Sequence, residues 1–132
     1  MNVIQTIVIR RDLQMSPGLL AAQVAHLSSL WLHRQILATK SFGPDSMSEA
    51  QQNWLDGPVL GVLAVNIPEE FSPLIQKAKD LEVNYHIWKD TIPSKIFGSE
   101  DKPKMLFVEV GIAFGPDDNE LIKQITGELP RY

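Results

Sequence analysis

The chain contains no cysteine in its 132 residues. Disulfides, thiolate nucleophiles and cysteine-ligated metals are thereby excluded, and a reducing, cytoplasmic setting is expected. Basic residues are in short supply: 12 lysines and arginines stand against 16 aspartates and glutamates, a formal net charge of −4. A nucleic-acid partner must then rely on a local patch, and such binding should be weak, with a shallow salt dependence. No apolar run approaches the ~18 residues of a membrane span, so no membrane partner is expected. The start, "MNVIQTIVIRRD", has neither the basic opening nor the small-residue cleavage site of a secretory leader, and none is expected. Gly-rich phosphate loops, G-x-S-x-G and H-E-x-x-H are all missing. His26 and His33 stand two helical turns apart, too far to share a metal without a third ligand. Neither a metal nor a cofactor is expected.

What is present is an ordinary globular composition, 44% hydrophobic. A chain of this length buries roughly two-thirds of its unfolded surface and holds a core without staples, so one domain over residues 1–132 is expected. Val3 to Arg10 is short and β-branched and reads as a strand. Ser16-Pro17 is an N-cap followed by proline at the first helical position, opening a helix to about Lys40. Ser46 with Glu49 suggests a capping box for a short helix to Leu55. "PVLGVLAV" is apolar without alternation, which predicts a strand buried on both faces. Pro68 opens a third helix, with Pro73 implying a late start or a kink. Val83 to Lys89 alternates as a strand, and a loop is expected from Asp90 onward. "MLFVEVGIAF" is a strong strand. Asp117 with Glu120 suggests a capping box for the last helix, closed by Gly127.

The order β-α-α-β-α-β-β-α implies parallel pairs with right-handed crossovers, and antiparallel pairing of the last two strands. The expected fold is α/β, a three-layer α/β/α arrangement with a four-stranded mixed sheet. On the first helix, Leu20, Val24, Leu27 and Trp31 form a core stripe. Leu19, Gln23, His26 and His33 form a second stripe, beginning at the helix N-terminus. Free backbone N–H groups there attract phosphate or carboxylate. In open α/β sheets this is also the end where ligands bind. Against that, a glutamine on a helix is ordinarily solvated. Composition and spacing alone give an α/β domain with a candidate site at its first helix.

Arg10, Asp12, Leu13 and Met15, followed by Gly18, Ala21-Ala22-Gln23 and His26, resemble the opening of the type II peptidyl-tRNA hydrolase family, R-x-D-L-x-M-x-x-G-K-x-A-A-Q-x-x-H. "GPDDNELIKQITGELPRY" is similar to that family's closing segment, and Asp90 follows a strand where the family has its D-A-G-x-T-Q loop. The resemblance spans nearly the whole chain. It implies hydrolysis of the ester joining a peptide to tRNA, in the cytoplasm, without metal or cofactor, by an enzyme that is often a homodimer. The chemistry requires a held water, a carboxylate to orient it and donors for the developing oxyanion. By that resemblance the catalytic residues are Gln23, His26, Asp90 and Ser94, the last a smaller hydroxyl in place of threonine. Arg10, Gly18, Leu19 and Lys95 are the implied substrate-binding positions.

The departures fall within the site. Leu19 occupies the lysine position and can neither donate a hydrogen bond nor carry charge. Gln14 and Pro17 stand where many members carry further lysines. Ile92 replaces the loop glycine, and Lys95 replaces the glutamine after the hydroxyl residue. Three readings follow: a working hydrolase with altered site chemistry, a catalytically impaired member serving as a binding or regulatory module, and an unrelated α/β domain. Removing one positioned donor commonly costs ~100- to 1,000-fold in rate, which is what separates the first two.

Overall fold

The computed structural model describes residues 2–42, 46–94, 101–102 and 104–132. Strand β1 (Val3–Arg10) leads through a 3-10 turn to helix α1 (Pro17–Phe42). There follow α2 (Glu49–Asp56), β2 (Leu60–Val65), α3 (Phe71–Asp80), β3 (Tyr85–Ser94), β4 (Lys104–Asp118) and α4 (Asn119–Thr126). The four strands form one sheet in the order β2-β1-β4-β3. β1 and β2 pair in parallel, and β4 runs antiparallel to both β1 and β3. Three strands therefore point one way, and β1, in the interior, is the most deeply buried. Its side chains alternate: Val8 joins the cluster made with α3 and α4, whereas Ile7 and Ile9 meet Leu27 of α1. This is the expected α/β/α layering in the expected order.

α1 lies close against the sheet because Gly111 on β4 has no side chain. A Cβ there would stand 2.6 Å from the Val8 carbonyl oxygen and 2.9 Å from Leu27 Cδ1. Its core stripe is as expected, with Leu27 and Trp31 buried and Leu20 and Val24 packed beside them.

Several local expectations are corrected. β2 is an edge strand, not one buried on both faces; Leu60 is 42% exposed. An apolar run without alternation fits either place, and residues 130–132 cover part of that edge through Ala64 N–H to the Pro130 carbonyl and Tyr132 N–H to the Val62 carbonyl. The capping box of α2 is built by Ser48 and Gln51 instead of Ser46 and Glu49. The cap of α4 is Asp118, one residue later than expected, and it accepts from Glu120 N–H. Pro68 opens a 3-10 turn instead of the helix itself, and α3 starts at Phe71, the late start that Pro73 implied. Pro73 then falls in its first turn, where no backbone N–H is needed.

Candidate functional site

The third strand does not end at Lys89. It continues through Asp90 to Ser94, paired with β4 residues Lys104 to Val108. A register shift between Trp88 and Lys89 lets Trp88 face Gly111 while Asp90 faces Val108. Asp90 is thus held by a sheet ladder and not by a loop. Ile92, at the family's loop-glycine position, is buried with Leu13 and Val110 in a small apolar cluster. That packing explains why the strand runs on: a β-branched residue at a site where it can be buried favours an extended chain.

Gln23 is 2% exposed. Its Nε2 donates to Asp90 Oδ2 at 3.0 Å. Its Oε1 accepts from the Trp88 indole Nε1 at 2.6 Å. The second carboxylate oxygen, Asp90 Oδ1, accepts from the Thr91 backbone N–H at 2.8 Å. His26, one turn along α1, lies in the open and stacks on Trp88, with centroids 4.6 Å apart and rings 18° from parallel. Gln23, His26, Trp88 and Asp90 therefore form one constellation, at the C-terminal end of the parallel strands and near the N-terminus of α1.

The other expected positions divide. Gly18 is exposed in the first turn of α1, with open space where a Cβ would be. Leu19 is half-buried and packs on the Leu13, Ile92 and Val110 cluster, an apolar floor that it shares with Met15 and Trp88. Arg10 is turned inward. Its Nε and one terminal nitrogen grip the two Asp12 oxygens at 3.1 and 2.7 Å, and the other terminal nitrogen donates to the Glu109 carbonyl at 3.3 Å. These bonds tie the end of β1 to the 3-10 turn and to β4. Ser94 closes β3 opposite Lys104, and Lys95 lies outside the described residues. His33 is exposed on α1.

A second tie joins α1 to β3 farther along. Arg34 donates to His86 Nδ1, which requires that nitrogen to be unprotonated. Burial, and secondarily the Arg34 guanidinium, pull the His86 imidazole down from 6.5 to about 4.

Trp88 is the member of the constellation that the motif comparison did not supply. A signal for it was in the sequence: "VNYHIWK" alternates, so His86 and Trp88 share a face of their strand. A tryptophan turned inward needs a partner for its N–H.

An open α/β sheet bearing an amide–carboxylate pair at its strand ends is one class of ligand site. The comparisons narrow the class. Residues 3–132 match the family described as Peptidyl-tRNA hydrolase PTH2, and the chain belongs to that family. It is similar to a peptidyl-tRNA hydrolase of Haloquadratum walsbyi, 32% identical over 97% of this chain and 98% of that one. The Nanoarchaeum equitans and Methanothermobacter thermautotrophicus proteins of the same name are 29% and 28% identical, covering 98% and 95% of this chain and 100% and 96% of their own. A solved protein of unknown function from Agrobacterium tumefaciens strain C58 shares the fold. Its TM-score is 0.56 at 15% identity, with 100% of this chain and 98% of that one covered.

Proposed function

We propose that this chain hydrolyses the ester bond of peptidyl-tRNA, releasing the peptide and free tRNA. The observation that carries the reading is the family match over residues 3–132, and the geometry supports it. Asp90 orients the attacking water through a free lone pair. Gln23 and the Thr91 backbone N–H fix the carboxylate by its two oxygens. The positive end of the α1 dipole, and the Ser94 hydroxyl implied by the resemblance, serve the developing oxyanion. His26, exposed at the rim, contacts the substrate. The whole of residues 1–132 works as one domain, in the cytoplasm where its substrate is made. A homodimer belongs to the same reading; exposed Ile36 and Leu37 on α1 speak for it, and sedimentation at micromolar protein tests it. Among the described residues, no helix is long and apolar enough to cross a membrane.

The test is release of tRNA from an N-blocked aminoacyl-tRNA. Wild-type protein is expected to release it, and Asp90→Asn to slow release by ~100- to 1,000-fold. Equal rates in the two proteins would remove Asp90 from the chemistry. A wild type without activity would favour the catalytically impaired member acting as a binding or regulatory module, for which Leu19 in place of lysine is the supporting observation.

A further inference from the structure

We propose that Trp88 is a positioning residue for the Gln23–Asp90 pair, its indole N–H deciding which end of the Gln23 amide faces the carboxylate. The amide has a donor end and an acceptor end of nearly the same shape. It lies between two partners that are not interchangeable. The indole N–H only donates, and an ionised carboxylate only accepts. One orientation satisfies both: Oε1 toward Trp88 at 2.6 Å and Nε2 toward Asp90 at 3.0 Å. A flipped amide sets N–H against N–H and carbonyl against carboxylate. Gln23 is buried, so water does not soften that choice.

The indole is itself fixed. His26 stacks on it from the open side. Beneath it lies the Leu13, Ile92 and Val110 cluster, on which Leu19 and Met15 also pack. Hydrogen bonds over such an apolar floor are stronger than in water and stay directional. Without Trp88 the Gln23 amide keeps its contact with the carboxylate but loses the partner that fixes its plane. Asp90 then turns about its bond to Thr91 N–H, and the water it holds loses its aim. The consequence for rate rests on the hydrolase reading above; the hydrogen-bond relay does not.

Trp88→Phe keeps a ring for His26 to stack on and removes the N–H. Release of tRNA by this variant is expected to fall about tenfold in kcat, the size of effect one hydrogen bond carries, with KM unchanged. In a Gln23→Ala background the same change should have no further effect on kcat, because Trp88 acts through Gln23. Equal losses in both backgrounds would overturn the proposal. A second measurement needs no substrate. Hydrogen exchange of the Trp88 indole N–H, followed by NMR, should be protected in the wild type and released in Gln23→Ala. An unprotected indole in the wild type overturns the relay, even should Trp88→Phe fail to fold. A protected indole in a protein that releases no tRNA would refute the hydrolase reading and leave the relay standing.

Discussion

The two faces of the sheet are built on different terms. On the α3 and α4 face, Val8, Val65, Phe71, Leu74, Ile112, Phe114, Ile122 and Ile125 belong to one continuous apolar cluster. On the α1 and α2 face the buried apolar residues fall into three separate clusters. Buried glutamines lie between them. Val3, Gln5 and Ile7 alternate onto that face of β1, so Gln5 separates the Val3 cluster from the Ile7 cluster, and its Nε2 donates to the Ser28 carbonyl of α1. Gln23 stands between Leu19 and Leu27 in the same way. A face that only holds the fold gains most from unbroken apolar contact. The face that presents the candidate site gives up contact area for polar groups such as the Gln23 amide, held between Trp88 and Asp90.

That contrast predicts which substitutions move stability and which move rate. The largest effect belongs to the continuous face: Phe114→Ala should cost ~3–5 kcal/mol, read as a lowered urea midpoint, with kcat per folded molecule unchanged. Asp90→Asn should do the reverse. Its rate falls by the ~100- to 1,000-fold given above, while its unfolding free energy, read from the urea midpoint, moves by less than ~1 kcal/mol. If both variants lost stability alike, the division between the faces would not hold.

Leu19→Lys sharpens the comparison within the face of the candidate site. Leu19 is only half-buried, so a lysine stem can lie on the apolar floor and carry its ammonium toward Asp90 and the α1 N-terminus. Hydrolysis should rise by about tenfold, mainly in kcat, because the new charge is worth most in the transition state. A well-folded variant with unchanged kcat would mean that the leucine-bearing site works without a cation. Loss of folding would assign Leu19 to packing.

The smallest effect concerns the tie between Arg34 and His86. His86 titrates at about 4 in the folded chain and near 6.5 when unfolded. Between those values the unfolded chain binds the extra proton, so stability falls as pH is lowered from 6.5 toward 4. His86 is half-exposed, and solvent screening holds the loss to about 1 kcal/mol. Urea midpoints at pH 7 and pH 4 should therefore fall further for the wild type than for His86→Phe. An equal fall in both would show that other groups carry the acid sensitivity.

Element order, layering and the core stripe of α1 were legible in the sequence, because each follows from local periodicity and from proline, glycine and cap positions. The constellation was legible in part. Gln23, His26 and Asp90 stood in a motif, and helical geometry put the first two on one stripe. What periodicity cannot carry is which distant groups meet. Asp90 was expected on a loop; it lies on a strand because Ile92 packs with Leu13 of the 3-10 turn and Val110 of β4. Arg10 belonged to the motif, but its bonds to Asp12 and the Glu109 carbonyl depend on how β1 meets β4. "PVLGVLAV" reads the same at a sheet's edge as at its centre, and only the strand order settles which it is. The burial of Gln23 was the least predictable feature, since a helical glutamine is ordinarily solvated. Its desolvation is tolerable only because Trp88 and Asp90, 65 and 67 residues away, arrive together with one donor and one acceptor. Composition and period fix what each segment is; the pairing of β3 with β4 across the sheet decides what faces Gln23.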